Sequence, residues 1–296
     1  MDRRTAGRTE THLSVSERRW PEPPGGFVLR PEGTGALYVA AGSEGELRAR
    51  GLTGWTAWER VLSTGDGPTG RGATVVLGGS AGPRWRVKGM RRGGLAASIW
   101  RDRYLSAARL TETLAASVEV EARGVPTARP IALIVETGGG VLARGAMAVE
   151  EIEGAQDLAR RVVAGVATRA DLQAALGAVR AMHDRGVVHP DLNLGNILLR
   201  SRAGAEPEAF VIDFDRASFT GGPLGFRARQ AAVRRLERSC AKLTGAPGAL
   251  GAGSEDLWYA IYAGADAKLA GSFAEGRRVG RWLLAMHRLG WRRNAR

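Results

Sequence analysis

His189-Pro-Asp191-Leu-Asn193-Leu-Gly-Asn196-Ile-Leu-Leu is followed, a short way on, by Val211-Ile-Asp213-Phe-Asp215-Arg216. These two segments hold the side chains best suited to chemistry. Asp191 is a carboxylate able to accept the proton of an attacking hydroxyl. Asn196, five residues on, offers an amide to a metal, and Asp213, expected on the next apolar strand, offers a carboxylate to hold that metal against phosphates. An acid, an amide and a second acid in this order suit phosphoryl transfer, which needs positioning and charge neutralisation more than covalent chemistry. A polar turn between strands accounts for such residues singly, but not for their order between two apolar runs.

Two further segments suit a nucleotide. Gly65-Asp-Gly67-Pro-Thr-Gly70-Arg71-Gly72 precedes the apolar run Ala73–Leu77. Glycine lets a hairpin backbone approach phosphates and exposes its N–H donors. Because the chain has 42 glycines, the weight of this match comes from its place one strand before Lys88. Lys88 ends Trp85-Arg-Val-Lys88, where a strand-borne ammonium can pair with α- and β-phosphates and be fixed by a carboxylate on the next helix. Glu112 is the first choice for that carboxylate; Glu119 and Glu121 lie on the same helical stretch and remain alternatives. Arg91-Arg92-Gly93-Gly94 either grips an anionic substrate through bidentate contacts or forms a solvated basic turn. Arg216 either holds a substrate phosphate or pairs with Asp215 or loop backbone. His189 is expected to bond backbone near Asp213, and Asn193 to steady the loop or touch the acceptor.

The elements that must position these groups fall into two regions. Residues 1–26 are rich in Arg, Thr, Ser and Pro without periodicity and read as a disordered basic tail. From Phe27 to Val87 short apolar runs alternate with glycines, predicting an antiparallel sheet with turn-rich connections. A helix in two pieces is expected from Leu95 to Ala122, closed by Gly124-Val-Pro. Strands Ile131–Val135 and Val141–Val149 follow, joined through Gly138-Gly-Gly. Beyond Glu153-Gly154 the pattern turns helical. Thr168-Arg-Ala-Asp171 predicts a capping box ahead of Leu172, Leu176, Val179 and Met182 on one helical face. Gly186 stops that helix, and a hairpin is expected across Ser201–Ala209. Further helices are expected at Arg227–Leu243, Glu255–Ala263 and from Arg277 to the end. The fold class expected is α+β: a bilobal protein-kinase-like fold with a sheet-rich N-terminal lobe (27–149) and a mainly helical C-terminal lobe (150–296).

Composition narrows the partners. A net charge of +13 suits nucleic acid, an anionic membrane surface or a phosphorylated substrate. No zinc-finger, RNA-recognition or helix-turn-helix pattern supports the first, and no nucleic-acid partner is expected. No run approaches the roughly 20 apolar residues of a membrane span, and the N-terminus lacks a signal-type apolar region, so a cytoplasmic location is expected. Cys240, the lone cysteine, excludes an intramolecular disulfide and sits at helical spacing with Leu236 and Leu243, as a buried core residue would.

Taken together, these blocks resemble the lipopolysaccharide kinase family, particularly the branch acting on 3-deoxy-D-manno-octulosonic acid (Kdo). Gly70-Arg71-Gly72-Ala73 is similar to the family's glycine-rich loop, and Lys88 to Leu95 to its strand and Arg-Arg-Gly-Gly-Leu block. Asp102-Arg103-Tyr104-Leu105, Gly124-Val-Pro, Asp191-Leu-Asn193 with Asn196, Asp213-Phe-Asp215-Arg216, and Arg235-Leu-Glu-Arg-Ser-Cys-Ala-Lys242-Leu complete the resemblance, from about Gly70 to Leu243. The Asp-Phe-Gly and Ala-Pro-Glu segments of ordinary protein kinases are absent from the sequence. The resemblance implies ATP and Mg2+, transfer of a phosphoryl group to a hydroxyl of Kdo on lipid A, and peripheral attachment to the cytoplasmic face of the inner membrane; no required protein partner is evident in the sequence. The basic and apolar stretch Arg277–Arg293 either lies in that interface or packs on the large lobe with a solvated basic face. Two alternatives remain: a kinase of another small hydroxyl compound, of the aminoglycoside type, and a basic pseudokinase scaffold. A basic protein suits cationic aminoglycosides poorly, and a pseudokinase does not need Lys88, Asp191, Asn196 and Asp213 together.

Overall fold

The computed structural model describes residues 20–65, 74–78, 82–90, 104, 106–138, 142–244 and 255–275. Residues Gly70, Arg71, Gly72, Arg91 and Arg92, the first 19 residues and the stretch from Arg277 onward lie outside this set. The chain divides into two compact units, one made of Met1–Ala115 and Pro130–Glu151, the other of Ala116–Arg129 and Ile152–Arg296.

The first unit is built on six antiparallel strands: β1 (Phe27–Glu32), β2 (Gly35–Ala40), β3 (Thr74–Leu77), β4 (Trp85–Gly89), β5 (Pro130–Glu136) and β6 (Arg144–Glu150). Their order across the sheet is β1-β2-β5-β6-β4-β3. Successive side chains on a strand point to opposite faces. Trp85 and Val87 of β4 therefore enter a core with Leu37, Val39, Ile134 and Ala148, while Lys88 takes the other face. Register places Lys88 in one row with Thr74, Met147, Leu133, Tyr38 and Leu29.

The expectation of turn-rich connections alone between Phe27 and Val87 is corrected here. Two helices, α1 (Glu44–Ala49) and α2 (Trp55–Ser63), cover the core face of the sheet. The physical reason is apolar burial at helical spacing. Leu47, Leu52 and Trp58 are buried there, Trp55, Val61 and Leu62 pack around them, and Trp58 Nε1 donates to Leu52 O at 2.9 Å. Residues 20–26, assigned by composition to the tail, include a buried Trp20, and the Tyr38 hydroxyl donates to Pro21 O at 2.9 Å. Helix α3 (Ala107–Ala122) sets Leu110 against Gly145, where a Cβ would stand 3.0 Å from the leucine.

The second unit packs α4 (Leu158–Val163), α5 (Arg169–Asp184), α6 (Phe226–Thr244) and α7 (Glu255–Ala263) around one core. Short strands β7 (Ala155–Asp157), β9 (Ile197–Arg200) and β10 (Glu208–Val211) form one sheet, and β8 (Val187–Val188) pairs with β11 (Ser218–Phe219). The expected capping box opens α5: Asp171 N donates to Thr168 Oγ1 at 3.2 Å and Thr168 N to Asp171 Oδ2 at 2.8 Å. Leu172, Leu176, Val179 and Met182 are all buried, as their spacing predicts. Gly186, at φ +71°, turns the chain where a Cβ would meet Gly222 O at 2.6 Å. Cys240 is buried, and that burial pushes its thiol pKa up.

A buried polar network ties α5, α6 and α7. The Tyr262 hydroxyl donates to His183 Nδ1 (2.7 Å) and accepts from Arg229 (3.3 Å), and Arg229 pairs with Asp184 at 2.6 Å. Burial, reinforced by Arg229, pushes the His183 pKa down to about 3. In the unfolded chain a histidine takes up its proton near pH ~6.5. Between those values the unfolded state binds more protons, so stability must fall as pH falls. Denaturant titrations should show stability declining from pH ~6.5 towards pH ~4, with a shallower decline in His183→Gln. An equal slope in that variant would show that the acid sensitivity arises elsewhere.

Candidate functional site

The site is built on irregular backbone between β8 and β9. Such a segment has no ladder to satisfy its carbonyls, so other donors must. Asp191 O accepts from Asn193 Nδ2 and from Asn196 Nδ2, both at 2.9 Å. Asn193 Oδ1 in turn accepts from Gly195 N at 2.9 Å, holding the single turn at Leu194–Asn196. The two asparagines thus fix the backbone under Asp191 while its side chain stays exposed.

His189 links this loop to the second acidic segment. The ring is buried, its Nε2 donates to Ile212 O at 3.0 Å, and it meets Phe214 with ring centroids 5.0 Å apart. Burial pushes its pKa down, partly offset by the bond to Ile212 and by the carboxylates of Asp213 and Asp191. The imidazole is therefore neutral at neutral pH, and its Nδ1 is buried without a hydrogen-bond partner. Ile212 N donates to Asn196 O at 3.0 Å, a second tie between the segments.

Asp213 departs from its expected place on a strand. β10 ends at Val211, and Asp213 adopts φ 69°. A left-handed conformation costs a non-glycine residue about 1 kcal/mol or more and persists only where its surroundings over-determine it. Here the two bonds to Ile212 and the burial of Phe214 fix both flanks, leaving Asp213 exposed. Arg216 is also left-handed, at φ 60°, and exposed.

Two residues that carried no role in the sequence hold the loop from outside. Arg235 on α6 donates to Pro190 O and, at 3.5 Å, to His189 O. Ser239, one turn further on, accepts from Leu194 N at 3.2 Å. The block beginning at Arg235 shows them as an i, i+4 pair on one helix edge, but not the loop groups that they bind.

The second unit thus gathers His189, Asp191, Asn193, Asn196 and Asp213, whereas Lys88 belongs to the first. Lys88 lies mid-sheet between Thr74 and Met147. Glu112 is 64% exposed and bonds Arg109 at 3.2 Å. Glu119 pairs with Arg123 at 2.7 Å, and Glu121 is the half-buried next-to-last residue of α3. Gly70, Arg71, Gly72, Arg91 and Arg92 lie outside the described residues.

This arrangement of exposed acids on a backbone held by amides and a guanidinium suits proton acceptance and metal ligation. Comparison with known proteins fixes the family. Residues 56–263 match the model of the "Lipopolysaccharide kinase (Kdo/WaaP) family", and the chain belongs to that family; it is a kinase, a phosphotransferase. It is similar to a 3-deoxy-D-manno-octulosonic acid kinase of Haemophilus influenzae (strain 86-028NP), 30% identical over 198 residues, covering 64% of this chain and 79% of the relative. The enzyme of the same description from Photobacterium profundum is 31% identical over 195 residues, covering 64% and 78%. That from Xanthomonas oryzae pv. oryzae (strain PXO99A) is 36% identical over 160 residues, covering 52% and 60%. A solved structure, "WaaP in complex with acyl carrier protein", overlaps 79% of this chain and 95% of its own with TM-score 0.42 and 17% identity, too slight a likeness to build on.

Loss of the Arg235 donors should loosen the Asp191 loop without touching nucleotide. Arg235→Leu is expected to lower kcat about tenfold to a hundredfold, since a misplacement of ~1 Å can cost that much, with KM for ATP within about twofold. Arg235→Lys should recover part of the loss. Steady-state kinetics in which the lysine variant matches the leucine one, or in which KM moves with kcat, would show that the contact only supports folding.

Proposed function

We propose that this kinase transfers the γ-phosphoryl group of ATP to a hydroxyl of Kdo attached to lipid A, at the cytoplasmic face of the inner membrane. We further propose that its two units are the sheet-rich and helical lobes of a protein-kinase-like fold. The observation that carries this reading is the exposed Asp191 on a backbone held by Asn193, Asn196 and Arg235, with Asp213 tied to the same loop through His189 and Ile212. The acceptor comes from the sugar in the relatives' names, set beside membership of the family.

In this scheme Asp191 orients the acceptor hydroxyl and takes its proton as the oxygen bonds phosphorus and ADP leaves. Lys88, level with Met147 in the sheet row, pairs with the α- and β-phosphates, and the Gly70, Arg71 and Gly72 segment covers them. Arg91, Arg92 and Arg216 serve the anionic acceptor. His189 acts on the backbone, because a buried neutral ring whose Nε2 is committed to Ile212 O is a poor proton shuttle.

Asp213 and Asn196 are the residues that would hold Mg2+. Their oxygens suit a hard cation, and the Asn196 amide, with its nitrogen bonded to Asp191 O, keeps its oxygen for a ligand. Among the described residues no group of three or more His, Cys, Asp or Glu could form a metal cage. Mg2+ commonly takes one or two protein ligands plus substrate phosphates. When bound, the ion supplies charge neutralisation at the phosphates.

Attachment to the membrane face rests on the charge of +13. Among the described residues, no helix is long and apolar enough to cross a bilayer.

Incubation of the protein with ATP, Mg2+ and Kdo-bearing lipid A should yield a product one phosphate heavier by mass spectrometry, with the phosphate on Kdo. An unchanged acceptor alongside a phosphorylated small polyol or aminoglycoside would overturn the assignment. Asp213→Ala should weaken ATP binding in the presence of Mg2+ by at least about tenfold in calorimetry, as expected for a lost metal ligand worth more than ~1.4 kcal/mol. Equal affinity would remove Asp213 from the metal.

A further inference from the structure

Helix α6 has two working sides. Its inner edge holds the Asp191 loop through Arg235 and Ser239. Its outer side carries Arg227, Arg234, Arg238 and Lys242, with Ala231 between, at intervals that keep them on one exposed stripe. The stripe runs roughly 22 Å at ~1.5 Å per residue. None of the four cations pairs with a described residue, and the helix's acid, Glu237, has a buried Oε1.

A second observation lies beside it. Among the described residues the exposed large apolar side chains are Val163 (66%), Val166 (55%) and Leu243 (40%). Leu243 follows Lys242 directly; Val163 ends α4, a helix that packs against α6, and Val166 lies in the loop after it. Arg160, 70% exposed, stands on the same short helix. A stripe of cations alone would suit nucleic acid. Cations on one helix, with bare aliphatic side chains on that helix and at the end of the one packed against it, suit a surface that is anionic outside and apolar beneath.

We propose that the outer side of α6, with the tip of α4, docks on an anionic lipid bilayer. The four cations meet headgroup phosphates, and Val163, Val166 and Leu243 enter the interfacial layer. Arg234 and Arg238 adjoin Arg235 and Ser239 in the chain, so docking by this face brings to the membrane the helix that holds the Asp191 loop. The purpose of this docking rests on the lipid-borne acceptor proposed above; its test does not.

The full chain, without ATP or acceptor, should float with vesicles of phosphatidylcholine containing phosphatidylglycerol and not with phosphatidylcholine alone, and high salt should release it. The variant Arg227→Gln/Arg234→Gln/Arg238→Gln/Lys242→Gln should lose at least about tenfold in partition, since each cation near such a surface contributes about fivefold. Val163→Ser/Val166→Ser should lose about threefold or more while keeping the salt dependence. Thermal unfolding followed by circular dichroism should be that of the unsubstituted protein in both variants, which shows that they fold. Equal flotation of the quadruple variant would overturn the proposal. Binding to duplex DNA as tight as to the anionic vesicles, with no effect of the valine substitutions on either, would replace the bilayer with a polyanion. Vesicle binding without sugar phosphorylation would leave this face standing and sink the assigned acceptor.

Discussion

The carbonyl of Asp191 is the fixed point of this molecule. It lies in backbone that is neither helix nor strand, so no ladder can satisfy it, and two side-chain amides do so instead. Asparagine suits the task because its nitrogen donates inward while its oxygen remains for another role. Asn193 gives that oxygen to Gly195 N, and Asn196 keeps its own. The carbonyls of His189 and Pro190, just ahead, are taken by Arg235. Three consecutive carbonyls are thereby held, and a short carboxylate side chain at their end has little freedom beyond its own rotamers.

From that point the constraint spreads to the second acid. Asn196 O receives Ile212 N, and His189 binds Ile212 O, so one residue of the β10 exit is held at both its polar groups. Phe214 is buried beside the His189 ring. Between these anchors Asp213 takes a left-handed backbone, φ 69°, and is exposed. Strain here is the consequence of two well-satisfied neighbours rather than a loop fault. It also keeps the two carboxylates on one scaffold, the arrangement that a metal-assisted phosphoryl transfer needs.

Local patterns were legible in the sequence. The Thr168–Asp171 capping box, the buried face of α5, the strand bearing Lys88 and the Asp191 loop all follow from residue type and short spacing. What the sequence hid depended on distant partners. Helices α1 and α2 lie in a glycine-spaced stretch whose Trp55, Trp58, Val61 and Leu62 reveal their period only when a sheet face is there to receive them. Asp213 sits next to an apolar run, and nothing local announces that the strand stops at Val211. The exposure of Glu112 and its pairing with Arg109 follow from the rotation of α3, whose Leu110 and Leu114 are buried. Arg235 and Ser239 lie far along the chain from the carbonyl and amide they bind, a relation no spacing rule contains.

The central claim is that a rigidly held carboxylate at Asp191 takes the proton of the attacking hydroxyl. Single-turnover phosphoryl transfer, with enzyme in excess over Kdo-bearing lipid A and saturating ATP and Mg2+, tests it most directly. Asp191→Asn keeps the shape of the side chain and removes its basicity, so the rate should fall at least ~100-fold, the scale of a lost general base, with ATP affinity intact. Transfer at close to the unsubstituted rate would contradict the account.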